Sequence, residues 1–152
     1  MTIPSNFTIV TLGVRDLQRS LDFYTALGWE QRGDASQGIC WFKTSGSWIG
    51  LFGYDALAAD MGIVDEGEPA EPATPATYRG MTLALNVNTE VEVDAALAHA
   101  SSVGATVLKP AASTEWGGYS GYFTDPDGHV WEVARAPGFP VDAGGRIEIP
   151  AS

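Results

Sequence analysis

Glu132 is the residue of this sequence that we select first as a candidate for chemistry. It lies in the run Val130–Arg135, whose apolar members fall on both faces of a strand, as expected for a strand packed between helices and a cavity. A carboxylate in such a strand is partly desolvated, which suits it to act as a general base. The alternative is a structural glutamate that bonds to a neighbouring Tyr, Trp or backbone N–H and has no catalytic task.

Few other side chains could join Glu132 to hold a metal ion. Sites for hard or borderline ions typically use three or more protein oxygen or nitrogen ligands. The chain has two histidines, His99 and His129. His99 lies within a predicted helix. His129 is an odd number of residues from Glu132, which places the two side chains on opposite faces of a strand. The sequence therefore predicts no metal and no cofactor.

A group of aromatic residues precedes the strand of Glu132. Trp116, Tyr119 and Tyr122 flank two glycines in a predicted loop-to-strand segment. Aromatic side chains on such a loop can close over a planar or cationic ligand. They can equally anchor the loop or a dimer interface, and both interpretations stay open.

The elements that position these residues follow one order, which occurs twice. In the first half a strand at 7–14 precedes a helix that Asp16 caps and Gly28 ends, and strands follow at 29–32, 39–44 and 48–53. In the second half the strand is 81–88, and Thr89 and Glu92 have capping-box spacing at the start of the helix. Strands are then expected at 106–109, 120–124 and 130–135, with a tight turn at 125–128.

This pattern predicts an α+β fold in which two tandem βαβββ modules form a cupped mixed sheet with helices outside. We expect one domain over 1–152, with modules at 5–54 and 80–136 and a C-terminal tail at 137–152. Residues 55–79 form an acidic, Pro- and Ala-rich linker. Part of that linker could instead be a mobile cover over a pocket.

Strand alternation predicts which side chains share the interior with Glu132. These are Ile9, Thr11 and Gly13 in the first strand, Thr82, Ala84 and Asn86 in its counterpart, and Trp48, Gly50 and Phe52 in the last strand of the first module. A lining of this kind, apolar with a few polar groups, suits a small-molecule pocket. The alternative is that Trp48 and Phe52 fill the cup as core.

Composition limits the possible partners and compartments. The formal net charge of −11 argues against nucleic acid, and no apolar run is long enough for a membrane helix. The first residues lack a signal-peptide pattern, which predicts a cytoplasmic protein. Cys40, the single cysteine, lies among apolar residues and is expected to be a buried, inert thiol rather than a nucleophile.

Three segments resemble the vicinal oxygen chelate superfamily of glyoxalases, extradiol dioxygenases and bleomycin-resistance proteins. They are TLGVRDLQRSLDFY at 11–24 with LGW at 27–29, YFTDPDGHVWEV at 122–133, and WGGY at 116–119, which is similar to a glyoxalase-like subgroup. In metal-using members of that superfamily, four interior residues hold a divalent ion. The matching positions here are Ile9, Gly50, Thr82 and Glu132, of which only Glu132 has a suitable side chain.

The resemblance therefore implies a protein that binds a small molecule in a largely apolar cup without metal, as a homodimer. The alternative it leaves open is a lyase, isomerase or dioxygenase, metal-dependent or metal-independent, acting on a small oxygenated substrate. The expected ligand-binding residues are Glu132, Trp48, Phe52, Trp116, Tyr119, Thr11 and Thr82, with Glu132 as the best catalytic candidate.

Overall fold

The computed structural model describes residues 3–63 and 78–151. Its contacts divide the chain into two compact units, residues 1–68 and 69–152. Residues 64–77, most of the predicted linker, lie outside the described residues. None of the helices in the described part of the chain is long and apolar enough to cross a membrane.

The first unit contains one βαβββ module followed by a short helix. Its elements are β1 (Ile9–Val14), α1 (Leu17–Ala26), β2 (Glu30–Arg32), a 3-10 turn (Ala35–Gln37), β3 (Ile39–Lys43), β4 (Trp48–Gly53) and α2 (Tyr54–Asp60). The four strands form one sheet in the order β1-β4-β3-β2. The β1–β4 pair is parallel, and the other pairs are antiparallel.

Helix α1 forms because its ends are capped and one side is apolar. Asp16 accepts a hydrogen bond from the backbone N–H of Arg19 at 3.0 Å, and Gly28 follows the helix with a φ of 101°, a value that favours glycine. Tyr24 is fully buried, with its ring centroid 5.7 Å from that of Phe42 in β3. This contact places Phe42, and by alternation Cys40, on the face of the sheet that α1 covers.

The second unit repeats the same order of elements. They are β5 (Leu83–Val87), α3 (Glu90–Ser102), β6 (Thr106–Ser113), β7 (Tyr119–Thr124) and β8 (Val130–Arg135), with sheet order β5-β8-β7-β6. Thr89 and Glu92 form the predicted capping box at the start of α3. Val93, Leu97 and Ala100 form the buried side of that helix.

The structure confirms the predicted α+β fold of two tandem βαβββ modules, each a four-stranded mixed sheet with a helix on one face. Several strand boundaries differ from the prediction. Among them, β1 begins at Ile9, and β6 continues to Ser113 instead of ending at 109. The start of the predicted linker, where the sequence also allows one or two helical turns, folds into α2.

The extension of β6 passes through Pro110 because the strand is irregular there. Its register against β7 shifts between Val107 and Lys109 and again between Lys109 and Ala112. A bulge of this kind lets a strand contain a residue that cannot donate a backbone hydrogen bond. The irregularity also changes the direction in which neighbouring side chains point.

Candidate functional site

Glu132 and Tyr122 lie side by side on the face of the second sheet that points away from α3. Gly121 and Val133 are register partners, and a Cβ on Gly121 would approach Leu97 of α3 to 2.5 Å. Gly121 and Val133 therefore face the helix. Their neighbours Tyr122 and Glu132, also register partners, must face the other way. Strand alternation predicted this orientation for Glu132.

The environment of Tyr122 keeps its hydroxyl protonated. Burial raises the pKa of Tyr122 above its usual value, and the charge of Glu132 and hydrogen bonding to that carboxylate raise it further. At neutral pH the phenol is therefore a donor, and the Glu132 carboxylate is the acceptor beside it.

A cavity of about 520 Å³ opens on this face, next to Tyr122. Its lining combines apolar and aromatic side chains with polar groups: Tyr78, Arg79, Gly80, Met81, Thr82, Leu108, Lys109, Tyr122, His129 and Val130. Leu108 and Lys109 are consecutive, yet both line the cavity. They do so at the register shift in β6, where one strand has an extra residue.

The wall formed by Arg79 is fixed by hydrogen bonds to the turn before β8. One guanidinium nitrogen lies 2.9 Å from Nδ1 of His129, and the other donates to the carbonyl oxygen of Asp127 at 3.1 Å. The turn itself is held by Asp125, whose Oδ1 accepts from the backbone N–H groups of Asp127 and His129, each at 2.9 Å. Asp125 thus has the structural task that the turn chemistry predicted.

Of the predicted ligand-binding residues, Thr82 lines the cavity and Glu132 lies beside Tyr122, a lining residue. The Oγ1 of Thr82 donates to the carbonyl oxygen of Val130 at 3.2 Å, which ties the start of β5 to β8. Glu132 is not among the lining residues, but its cross-strand neighbour Tyr122 is. The β8 residue that lines the cavity is Val130, two residues before the predicted centre at Glu132.

Thr11, Trp48 and Phe52 belong to the first unit. Register pairs Thr11 with Gly50, and alternation places Trp48 and Phe52 on the same face as Gly50. A Cβ on Gly50 would lie 3.2 Å from Oγ1 of Thr11 and 3.3 Å from the Trp41 ring. Thr11 and Trp41 therefore fill the space above Gly50 on that face.

Tyr119 and Trp116, two further predicted ligand-binding residues, lie in β7 and in the turn before it. Tyr119 is in β7 and on the α3 side of the sheet, where its hydroxyl donates to Asp94 of α3 at 2.8 Å. That hydrogen bond, with burial and nearby acidic charge, raises the pKa of Tyr119. Trp116 lies in the turn before β7 and is 56% exposed. Tyr119 lies on the opposite face of the sheet from Glu132, because it is an odd number of residues from Tyr122, the register partner of Glu132. Ligand contact by Tyr119 and Trp116 stays a prediction.

The sequence model of the Glyoxalase/Bleomycin resistance protein/Dioxygenase superfamily matches residues 7–133. The chain belongs to this superfamily. No curated protein matches it.

Solved structures of the superfamily have the same fold. A glyoxalase-related enzyme from Fulvimarina pelagi is 30% identical with a TM-score of 0.81, over 97% of this chain and 100% of the other. A lactoylglutathione lyase from Agrobacterium tumefaciens is 21% identical with a TM-score of 0.62, over 88% and 95% of the two chains. A glyoxalase/bleomycin resistance protein/dioxygenase from Nocardioides is 24% identical with a TM-score of 0.70, over 90% and 85%.

The residues of this chain do not fit the metal of metal-using superfamily members. Of the four matching positions, Ile9 and Gly50 have no donor side chain and Thr82 has a neutral hydroxyl that is already bonded to Val130. The space above Gly50 is filled, so no side chain from that position could reach an ion. Within residues 3–63 and 78–151, no group of three or more His, Cys, Asp or Glu side chains is placed to hold a metal.

Sequence reasoning missed the two cationic residues of the cavity. Arg79 is the last residue of the predicted linker, where no periodic pattern indicates a direction for its side chain. Lys109 precedes Pro110, which favoured ending the strand there. One signal was available. Lys109 is the only charged residue between Val103 and Thr114, and an isolated cation in an otherwise apolar and small-residue segment is unusual.

Proposed function

We propose that the protein binds a small organic molecule in the cavity of the second module, and that it does so without a divalent metal. The observation that carries the proposal is the cavity itself. Its volume of about 520 Å³ is within the range of roughly 300–1,000 Å³ that is typical of ligand pockets. Apolar walls with a few convergent polar groups are the usual composition of such pockets.

The polar groups are arranged to orient a ligand. Arg79 is held by two hydrogen bonds, so it loses little side-chain freedom when a ligand binds. Tyr122 and Met81 offer apolar contact area, and Thr82 adds a hydroxyl-bearing residue to the lining. Binding without metal is supported by the donor set, because Glu132 is the only suitable ligand among the four superfamily positions.

A second candidate function is metal-independent catalysis with Glu132 as general base. The observation that favours it is the pairing of Glu132 with Tyr122, which lines the cavity and connects the carboxylate to it. A base in this position could exchange a proton with a bound molecule through the phenol. The homodimer and the cytoplasmic location that we expect from the sequence stay predictions.

A variant whose cavity is blocked tests the proposed binding. Val130→Trp places in the second module the residue that the first module has at the matching position, Trp48, and it should fill part of the cavity. The wild-type protein and the variant are titrated, by calorimetry and thermal shift, with three naphthalene compounds of similar size: 2-naphthoate, 2-naphthamide and 2-naphthylmethylammonium. At least one should bind the wild-type protein and lose about tenfold or more in affinity in the variant.

The matched control is Val91→Trp, the same substitution at a site on α3 that is 75% exposed. It should bind as the wild type does. Failure of all three compounds to bind, or equal binding by the Val130→Trp variant, would contradict the proposal. Recovery of a bound compound in chemically changed form, lost in Glu132→Gln, would instead support the catalytic role.

A further inference from the structure

We infer that the ligand of this cavity is an organic anion, whose carboxylate is bound by Arg79 and Lys109 and whose aromatic or apolar body lies against Tyr122. The inference rests on the proposed function, since it concerns the same cavity. It adds the chemical class of the ligand.

The cavity is positively charged in a protein that is strongly acidic. The chain has 19 acidic and 8 basic residues. Among the ten described residues that line the cavity, two are basic and none is Asp or Glu. The local charge is therefore opposite in sign to the net charge. Apolar burial alone would not need two of the few cations of the chain in one cavity.

The two hydrogen-bond acceptors of Arg79 do not neutralise its positive charge. A guanidinium can only donate, so Nδ1 of His129 must accept, and an accepting ring nitrogen carries no charge. The other acceptor is the carbonyl oxygen of Asp127, which is also uncharged. Two neutral acceptors orient the guanidinium without neutralising it. A planar, oriented guanidinium is well suited to bind a carboxylate.

Lys109 adds a second cation from another strand. It is the register partner of Tyr122, and the bulge in β6 directs both Leu108 and Lys109 to the cavity. Glu132 is the other register partner of Tyr122, so an anion is less favoured beside that carboxylate. We therefore place the carboxylate of the ligand against the two cations and its apolar body against the ring of Tyr122.

The net charge of −11 does not overrule these local charges. At physiological ionic strength, exposed charges are screened beyond about 8 Å. Distant carboxylates thus have little effect on a ligand in direct contact with two cations. Their main consequence is a slower approach of anions, and this effect should weaken as salt is added.

The test compares the three naphthalene compounds, which differ mainly in charge, by isothermal calorimetry with the full-length protein. We expect 2-naphthoate to bind about tenfold or more tightly than the neutral 2-naphthamide, and 2-naphthylmethylammonium to bind most weakly. Lys109→Met and Arg79→Gln should each reduce the preference for the carboxylate severalfold, whereas affinity for the amide should change little. Arg79→Lys, which retains the charge, should restore part of the preference.

Arg146→Gln is the matched control, because it changes the net charge equally but Arg146 does not line the cavity. It should leave the preference unchanged. If all three compounds bind equally well and Val130→Trp blocks them, the proposed function stands and the anion inference is overturned. A carboxylate preference that survives in both Lys109→Met and Arg79→Gln also overturns the inference. If none of the compounds binds, both proposals fail together.

Discussion

The two modules place different side chains at matching positions of the same sheet face. In the first sheet, Gly50 has Thr11 on one side and Trp41 on the other. In the second sheet, register puts Glu132 at the position of Gly50, between Ala84 and Tyr122. The strand order and the parallel pairing of first and last strands are the same in both units.

The difference shows how a repeated backbone supports two kinds of surface. In the first module, the indole of Trp41 and the hydroxyl of Thr11 cover Gly50, which has no side chain. In the second module the large residue is a tyrosine, the central residue is a carboxylate, and a cavity opens beside them. The two modules therefore share a backbone, and the side chains at matching positions determine what kind of surface each one has.

The largest effect should come from giving the first module the carboxylate of the second. Gly50→Glu adds a Cβ at 3.2 Å from Oγ1 of Thr11 and 3.3 Å from the Trp41 ring, and it brings a charge to a buried position. We expect a loss of about 3 kcal/mol or more in the free energy of unfolding, measured by urea denaturation.

Gly46→Glu is the control for this substitution. Gly46 lies in the turn between β3 and β4, and a Cβ there would have nothing within 4 Å. The control should change the unfolding free energy by about 0.5 kcal/mol or less. A Gly50→Glu variant as stable as the Gly46→Glu variant would show that the first module could accept the polar pair, and the comparison would lose its physical basis.

A smaller effect is expected on the helix-covered faces of the two sheets. There the first module has a side chain where the second module has a glycine. Cys40 of the first module matches Gly121 of the second. A Cβ on Gly121 would lie 2.5 Å from Leu97 and 2.9 Å from two backbone atoms of β6, which cannot easily move. Gly121→Ala should therefore cost about 2 kcal/mol by overpacking.

Cys40→Ala is the control at the matching position of the first module. Alanine fits there because it is smaller than the cysteine that it replaces. Cys40 is fully buried, and burial raises the pKa of its thiol. The substitution removes one sulfur atom and should cost about 1 kcal/mol. Equal stability of Gly121→Ala and the wild type, again by urea denaturation, would contradict the close approach of α3 to its sheet.

Local signals were sufficient to predict the repeated fold. Gly28 and Gly104 each follow a helix with a φ of 101° and 107°, and Thr89 with Glu92 forms the capping box. Each of these signals depends on residues within one turn of the chain. The period of two along β8 was likewise enough to orient Glu132.

The cavity was harder to predict because its lining depends on an irregular strand and on contacts between residues that are distant in sequence. Alternation could not place Lys109, since the register shift in β6 interrupts the period of two. Tyr119 lay outside the expected strand, which began at residue 120, so alternation was not applied to it. Arg79 is oriented by His129 and Asp127, which are distant in sequence. Contacts of this kind are a property of the folded chain and have no local signature.

The smallest effect tests the polar pair of the second module at alkaline pH. The first module has Trp41 where the second has Tyr122, so only the second has an ionisable group at this position. Because the folded pKa of Tyr122 is raised, the protonated phenol stabilises the native state, fully so below the unfolded value of about 10. This stabilisation is lost as the pH rises through the folded pKa.

Tyr122→Phe should therefore lose less stability than the wild type between pH 9 and pH 11, by about 0.5 kcal/mol after allowance for solvent screening. Urea denaturation at each pH measures the difference, and absorbance of tyrosinate at 295 nm follows the ionisation. Glu132→Gln separates the causes. Burial is the largest cause of the shift, so most of the alkaline loss should persist without the carboxylate. If Glu132→Gln removed the whole loss, the charge of Glu132 would dominate, and the second module would differ from the first mainly in electrostatics and not in burial.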